Sequence, residues 1–495
     1  MLNKEFNKLL ISVFFLIYFI FGLFIYKDYG IGIEEHFQRQ NGFYWLKNIL
    51  SLLNLQGLEI LASDKYQEIR LYDSNLPNSE FFNFYGIFFD TTTAFIELIF
   101  KIESSKLYFE IRHLFNFFIF FISSIFFYKI LKNRFKHTII VFFGTLFYIF
   151  SPRIYGDSFH NNKDVLFLSL LTISLFFLFK YFEKDKIKNI ILFCLFAAIA
   201  TSSRIMGIYL PLLLIFFLFV EYLSKNISLS NFINKKLIIL FFFIFFSYLH
   251  YPYMWELNIF KFSEWFKVYF YNMGLRILFD GNYYHIKYLP RFYLPVWISI
   301  TTPIYILILF LGGYCLMFRR FFQRILNMKK IIVCNDLWRS VNEKKDLFIF
   351  ISLSIFSIYA VFLNVAMLSG WRHFYFLHIY ITYISIYMIN IALNLFIRKK
   401  IHIIYFNLIN FLFIFLIITQ IYIFHPYQSL FFNSFINEKN IKRFPVDTPS
   451  LSRSDALKEI VQLHTGSKKI FVANASWTPF YNGKDMLNKQ DQDKF

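Results

Sequence analysis

Eleven stretches of this chain read as membrane spans, and no other feature limits its fold so strongly. A spanning helix needs about 20 mainly apolar residues, because in lipid every backbone polar group has to be satisfied within the segment. The apolar runs lie near 9–26, 114–131, 138–150, 165–182, 189–201, 205–223, 237–250, 296–318, 347–368, 374–396 and 401–424. The chain is 57% hydrophobic and 17% charged. Soluble domains are about 25% charged, so a soluble enzyme and a disordered chain are both excluded. The expectation is an all-α polytopic membrane protein, with a transmembrane domain over 1–424 and a small extracytoplasmic tail over 425–495. The first run has no small-residue cleavage site, so it reads as an anchor helix and not as a removed signal peptide.

Charge sets the orientation. The net charge is 51 − 31 = +20. Much of it sits in alternate loops: Lys129 to Lys136, Lys180 to Lys188, Lys235-Lys236, Arg319 to Lys330, and Arg398 to Lys400. Such loops stay in the cytoplasm, so topology accounts for the charge and nucleic acid is not an expected partner. With an odd number of spans the tail lies outside. Three polar segments then share the outer face: a long first loop (27–112), a short loop (151–164) and an aromatic loop (251–295). Cys194, Cys315 and Cys334 are too scattered for a zinc cluster or a disulfide framework. No phosphate-binding P-loop and no HExxH sequence occurs. No cofactor is expected, although the sequence leaves a divalent metal open.

The outer segments carry the candidate chemistry. Glu34 and Glu35 follow the first span in Tyr29-Gly-Ile-Gly-Ile-Glu-Glu-His-Phe37. They are either the start of a solvated loop or a carboxylate that takes a proton from an acceptor hydroxyl just above the bilayer. The segment Ser151-Pro-Arg-Ile-Tyr-Gly-Asp-Ser-Phe-His-Asn-Asn-Lys-Asp164 is dense in ionisable groups. Either its charges pair with one another at the interface, or Arg153 and Lys163 neutralise a phosphate while Asp157 or Asp164 orients them. Arg112-His113, Arg204 and Arg372-His373 sit near outer ends of spans, where unpaired cations are disfavoured. They snorkel to headgroups or meet an anionic partner. The aromatics of 251–295 suit an interfacial belt, and equally a sugar or an isoprenoid chain.

Taken together these segments resemble the bacterial glycosyltransferase family 39, relatives of protein O-mannosyltransferases and of the aminoarabinose transferase of lipid A. Residues 151–164 are similar to that family's SPR-x-x-G-x-S-x-x-N-x-K-D motif. Leu278-Phe-Asp-Gly281, Leu289-Pro-Arg-Phe-Tyr-Leu-Pro-Val-Trp297 and Thr301-Thr-Pro303 resemble its FxG…LPWxYLPVW…TTP segment. Arg112-His113, Gly370-Trp-Arg-His-Phe-Tyr375 and His425-Pro-Tyr-Gln-Ser-Leu-Phe-Phe-Asn433 follow in the family's order. The resemblance implies a GT-C fold with about eleven transmembrane helices and a catalytic acidic pair in the first external loop. Glu34 aligns with the usual Asp as base, and Glu35 is its neighbour. It implies a polyprenyl-phosphate sugar as donor, with Arg153, Lys163, Arg204 and Arg372 on the phosphate. Arg112, His113, Asp157, Asn161, Asp164 and His373 are implied in support. The acceptor would be a glycan, lipid or protein of the envelope, at the extracytoplasmic face of the inner membrane. Glu34 departs from the family's Asp by one methylene, Asp157 from a frequent His, and Arg291 from a frequent Trp. A lipid flippase or secondary transporter, or a non-catalytic degenerate transferase, are the competing expectations.

Overall fold

Residues 2–72, 76, 82, 85–256, 274–326, 336–363, 365–398, 403–466, 468–474 and 479–495 are described by a computed structural model. Cys334 and the basic residues Lys329, Lys330, Lys399 and Lys400 lie outside the described residues, as do parts of the loops 27–112 and 251–295.

The eleven apolar runs are mainly helical, the run 296–318 being divided between two helices at Thr302-Pro303, and not all are long enough to span. The first forms α1 (Leu2–Ile25). The long first loop folds into α2 (Glu35–Leu52), α3 (Gln56–Tyr72) and α4 (Phe88–Ile99). Then come α5 (Ser105–Arg134), α6 (Thr138–Ile149), α7 (Pro152–His160), α8 (Asp164–Glu183), α9 (Ile187–Ser203), α10 (Tyr209–Leu223) and α11 (Leu229–His250). A hairpin of β1 (Arg276–Phe279) and β2 (Asn282–His285) precedes α12 (Tyr293–Thr301). The membrane domain closes with α13 (Ile304–Leu326), α14 (Val341–Phe362), α15 (Leu377–Arg398) and α16 (Ile403–Ile423), and the tail carries α17 (Arg453–Leu463).

Among the described residues nine helices are long and apolar enough to cross a membrane, against the eleven read from hydropathy. The run 138–150 forms only the 12-residue α6, which continues into α7 after a bend of 57°. Pro152 at the first position of α7 explains the break: it has no N–H to continue α6, and its fixed φ suits a helix start. Counting that bent pair as one span gives ten. The run 189–201 forms the 17-residue α9, just short of a full crossing. The segment 151–164, expected as a short outer loop, is mostly the helix α7, and every one of its nine residues is buried.

The packing is that of a protein in lipid. α8 and α15 form the centre, with Leu168, Leu171, Tyr380 and Ile384 fully buried. α1, α11 and α16 turn large apolar side chains outward, among them Phe24 (75% exposed), Phe241 (63%) and Phe415 (66%). A water-soluble surface does not carry such a belt.

Two polar clusters lie at opposite ends of α5, whose 30 residues run about 45 Å. Its C-terminal Arg134 grips Asp346 with two hydrogen bonds of 2.8 and 2.7 Å, and Tyr383 donates to the same carboxylate at 2.7 Å. Lys345–Glu183 and Lys344–Glu221, both 2.6 Å, join that end. There α14 starts in a reciprocal cap, Ser340 accepting from the Glu343 N–H at 3.2 Å and Glu343 from the Arg339 N–H at 2.8 Å. The other end of α5 carries Arg112 and His113 and faces the site described next.

The hairpin turns on Asp280-Gly281, both at positive φ, as a two-residue turn requires. It meets the tail through Arg443, which pairs with Asp280 at 2.6 Å and accepts from the Gly281 N–H at 3.0 Å.

Candidate active site

The two neighbouring glutamates have opposite surroundings, because Glu34 is the last residue before α2 and Glu35 the first within it. Glu35 is 2% exposed. It accepts from the Gly32 N–H at 2.7 Å, and His113 Nε2 lies 3.2 Å from both its oxygens. Burial opposes its ionisation, but His113, the Gly32 N–H and Arg112 outweigh burial and keep its carboxyl below the usual range. It is a fixed, fully used carboxylate. Glu34 keeps a side chain about 33% exposed. It accepts from Arg372, and Lys163 Nζ stands 3.3 Å away. Burial again opposes its charge, and Arg372, Lys163 and Arg204 together hold its carboxyl well below the usual range.

Glu34 is therefore one end of a chain of alternating charges. Arg372 reaches Asp164 at 3.9 Å, and Arg204 holds Asp164 through Nε at 2.8 Å. The Asp164 side chain is 1% exposed, so this pairing is needed to carry its charge. Asn161 orders the start of α8: its Oδ1 accepts from the Asp164 N–H at 2.9 Å and its Nδ2 donates to Asp164 at 3.2 Å. The charges of 151–164 thus pair mainly with distant elements and only partly among themselves.

Arg153 is different. It is 6% exposed and has no carboxylate partner within salt-bridge distance among the described residues. Its Nε donates to the Phe431 carbonyl at 2.8 Å, and its guanidinium lies 5.3 Å from the Trp297 ring and 4.8 Å from the Phe432 ring. One terminal nitrogen is buried with no hydrogen-bond partner. Asp157, one turn on, is engaged by His160 at 3.2 Å, and His160 also meets the Ser429 hydroxyl at 3.0 Å. This close packing needs Gly156: a Cβ there would lie 2.9 Å from the Ser429 nitrogen and 3.0 Å from the Gln428 side chain.

Glu34, Glu35, Arg153, Asp157, Asn161 and Arg372 all line one pocket of about 610 Å³, its mouth included. Lys163 touches it through Glu34. Arg204 and Asp164 stand behind Arg372, and His113 behind Glu35. Arg112 turns elsewhere, to Asp90 at 2.9 Å. His373 is half-buried beside Arg372; burial and the charges of Arg204 and Arg372 hold its pKa well below the usual value, so it is neutral.

The tail was not expected in the site. Pro445, Val446, Thr448 and Pro449 form part of the pocket wall. Further on, Asp485 lies 3.2 Å from His36, the residue after Glu35, and accepts from the Tyr72 hydroxyl at 2.8 Å. Trp297, Tyr375 and Ser429 also line the pocket. They stand inside segments that carried the resemblance, but nothing in their residue type singled them out.

Residues 91–251 match the family model of dolichyl-phosphate-mannose-protein mannosyltransferases, a GT-C glycosyltransferase family. No curated protein and no solved structure matches the chain. The matched third includes Arg153, Asn161, Lys163, Asp164 and Arg204; Glu34, Glu35, Arg372 and the tail lie beyond it. The molecule is an all-α polytopic membrane protein, consistent with the GT-C fold of the family whose model its residues 91–251 match, and that match implies membrane glycosyltransferase activity.

Proposed function

We propose that this protein transfers a sugar from a polyprenyl-phosphate donor to an envelope glycan, lipid or protein, at the extracytoplasmic face of the inner membrane. One observation carries the reading. A part-exposed carboxylate, Glu34, and a buried guanidinium with a free nitrogen, Arg153, line the same pocket. Glycosyl transfer from a lipid phosphate needs that combination: a proton acceptor for the incoming nucleophile, and cations for the departing phosphate.

The steps follow from the charges. Arg372 and Lys163 neutralise Glu34, which makes it a weak base. A donor phosphate brings its own negative charge to Arg153, Arg372 and Lys163 and relieves Glu34 of its partners. The carboxyl then rises toward the ordinary range, where it can accept a proton. The acceptor oxygen attacks the anomeric carbon, its proton goes to Glu34, and the bond from that carbon to the phosphate oxygen breaks. Polyprenyl phosphate leaves with the bonding electrons, held by the three cations. Glu35 takes no proton; with His113 it fixes the turn that presents Glu34.

The donor's tail also has a place. A largely apolar cleft lies between α12, α13 and α14, lined by Leu294, Ile298, Leu307, Leu311 and Val361. α12 borders both spaces, since Trp297 lies on the pocket and Leu294 and Ile298 on the cleft.

The test is a transfer assay with the full-length protein in nanodiscs and a radiolabelled polyprenyl-phosphate sugar. Turnover that Glu34→Gln abolishes supports the reading. Movement of the lipid across the bilayer without turnover, or unaltered transfer by the variant, overturns it.

A further inference from the structure

The pocket around Glu34 is narrow for a sugar phosphate. The space in it open to the centre of a water molecule is about 40 Å³. That admits a few waters, whereas ligand clefts measure roughly 300–1,000 Å³. Admitting a phosphate and a sugar together requires one wall to move.

Three walls are fixed. Glu35 and His113 hold the start of α2, all nine residues of α7 are buried, and the turn before α15 is anchored by Trp371 and Phe374, 3% and 0% exposed. The fourth wall, Pro445 to Pro449, is tied differently. Among the described residues, 445–449 make no hydrogen bond to α2, α7 or α15. They are fastened at their two ends instead. Phe444 is buried among Phe279, Trp297 and Phe432, with ring centres 5.7, 5.4 and 6.1 Å away. Trp297 and Phe432 are the rings beside Arg153. At the other end Leu451 is 1% exposed, and its carbonyl passes so close to Gly30 that a Cβ there would collide with it. Gly30 stands four residues before Glu34. The segment thus crosses from the phosphate side of the pocket to the side of the base.

Its fastening on the base side depends on one carboxylate. Asp447 accepts from the N–H groups of Leu451 and Ser452 at 3.0 and 3.1 Å, and from the Ser452 hydroxyl at 2.6 Å. Ser450, inside that turn, is held at φ +62°, a region that residues other than glycine seldom adopt. A surface segment closed by few bonds and under local strain opens more readily than the buried helices around it.

We propose that residues 445–450 form a strap that lifts to admit substrate and closes over the reacting carbon. What the strap protects rests on the glycosyl-transfer reading; that it moves does not. Closed, it keeps out water, whose oxygen would otherwise bond to the anomeric carbon as the bond to the phosphate oxygen breaks, giving free sugar and polyprenyl phosphate.

The experiment uses the full-length protein in nanodiscs, with Cys315→Ser and Cys334→Ser as background. Ser429→Cys places a thiol inside the pocket, and the probe is the anionic reagent 2-sulfonatoethyl methanethiosulfonate. Two variants loosen the strap from opposite sides: Asp447→Ala removes the fastening, and Gly30→Ala pushes Leu451 away. Modification is expected to be slow behind the intact strap and at least tenfold faster in either variant. Tyr283→Cys, at a position 72% exposed on the hairpin, should react alike in every background, and unfolding temperatures show which variants are folded. Equal rates at Ser429→Cys with and without a folded strap variant, or a rate with the intact strap as fast as at Tyr283→Cys, overturn the proposal. A second arm supplies a radiolabelled polyprenyl-phosphate sugar. Asp447→Ala should release at least threefold more free sugar for each sugar transferred. No turnover by any of the proteins, with the thiol rates as expected, counts against glycosyl transfer and leaves the strap standing.

Discussion

Arg372 donates a hydrogen bond to Glu34, although the two residues stand 338 positions apart in the sequence. The pairing places a carboxylate and a cation of the same pocket in mutual contact. It also divides the adjacent glutamates, since Glu35 is occupied by His113 and Gly32.

That division predicts different losses. Glu34→Gln keeps the shape of the side chain and removes its proton acceptance. General-base loss costs about 10²–10⁴ in rate, so kcat falls in that range, while stability falls less than at Glu35 because Arg372 still faces Asp164. Glu35→Gln leaves buried His113 without its carboxylate and lowers the unfolding temperature as well as the rate. Transfer assays paired with thermal unfolding in the same detergent separate the two.

The depressed carboxyl of Glu34 predicts a pH signature. In the free enzyme Arg372, Lys163 and Arg204 outweigh burial, so Glu34 remains ionised below the ordinary glutamate value of about 4.3. The acid limb of kcat/KM, which reports the free enzyme, should lie below the ordinary glutamate value. The limb of kcat, which reports the complex, should move to higher pH because the donor phosphate draws the cations away. The sign for stability agrees: a lowered folded-state pKa contributes stability above the unfolded value, and this is lost as pH falls through the folded value.

Arg153 carries the third prediction. Its planar guanidinium stacks by Trp297 and Phe432 and keeps one nitrogen free. Lys retains the charge but neither the fork nor the stacking. A charge-assisted hydrogen bond is worth about 1.5–3 kcal/mol. Arg153→Lys should therefore weaken binding of polyprenyl phosphate about 10- to 100-fold, read by titration into nanodiscs.

Much of this was legible in the residues, for physical reasons. Apolar runs become helices because lipid offers no other way to satisfy the backbone, so each run was found where hydropathy put it. The helix α7 that continues α6 after a bend was not, because a segment with Arg153, Asp157 and Lys163 in it looks like a solvent loop. The dense polar segment and the Glu34-Glu35 pair stood out because charge beside a membrane is costly. Their wiring did not: nothing local to Asp164 says that Arg204, 40 residues on, will hold it. The tail was least legible of all. Pro445, Val446, Thr448 and Pro449 carry no ionisable group, and they matter only through the wall they form.

The last prediction concerns that tail. Asp485 is 3% exposed and stands 3.2 Å from His36, which directly follows Glu35 at the start of α2. Its backbone is also held, the Ser105 hydroxyl donating to the Asp485 carbonyl at 3.0 Å. The tail thereby clamps the first turn of α2 against the start of α5, the two segments that carry Glu35 and His113. Asp485→Asn should loosen the turn that presents Glu34 without touching the cations that take the phosphate. The expected result is a several-fold fall in kcat with donor KM unchanged, together with a lower unfolding temperature. His36→Gln should act on the same contact, so the double variant should lose less than the two single losses added together. A donor KM that rises in step with the fall in kcat, or losses that simply add, would show that the tail acts through the pocket wall and not through this latch.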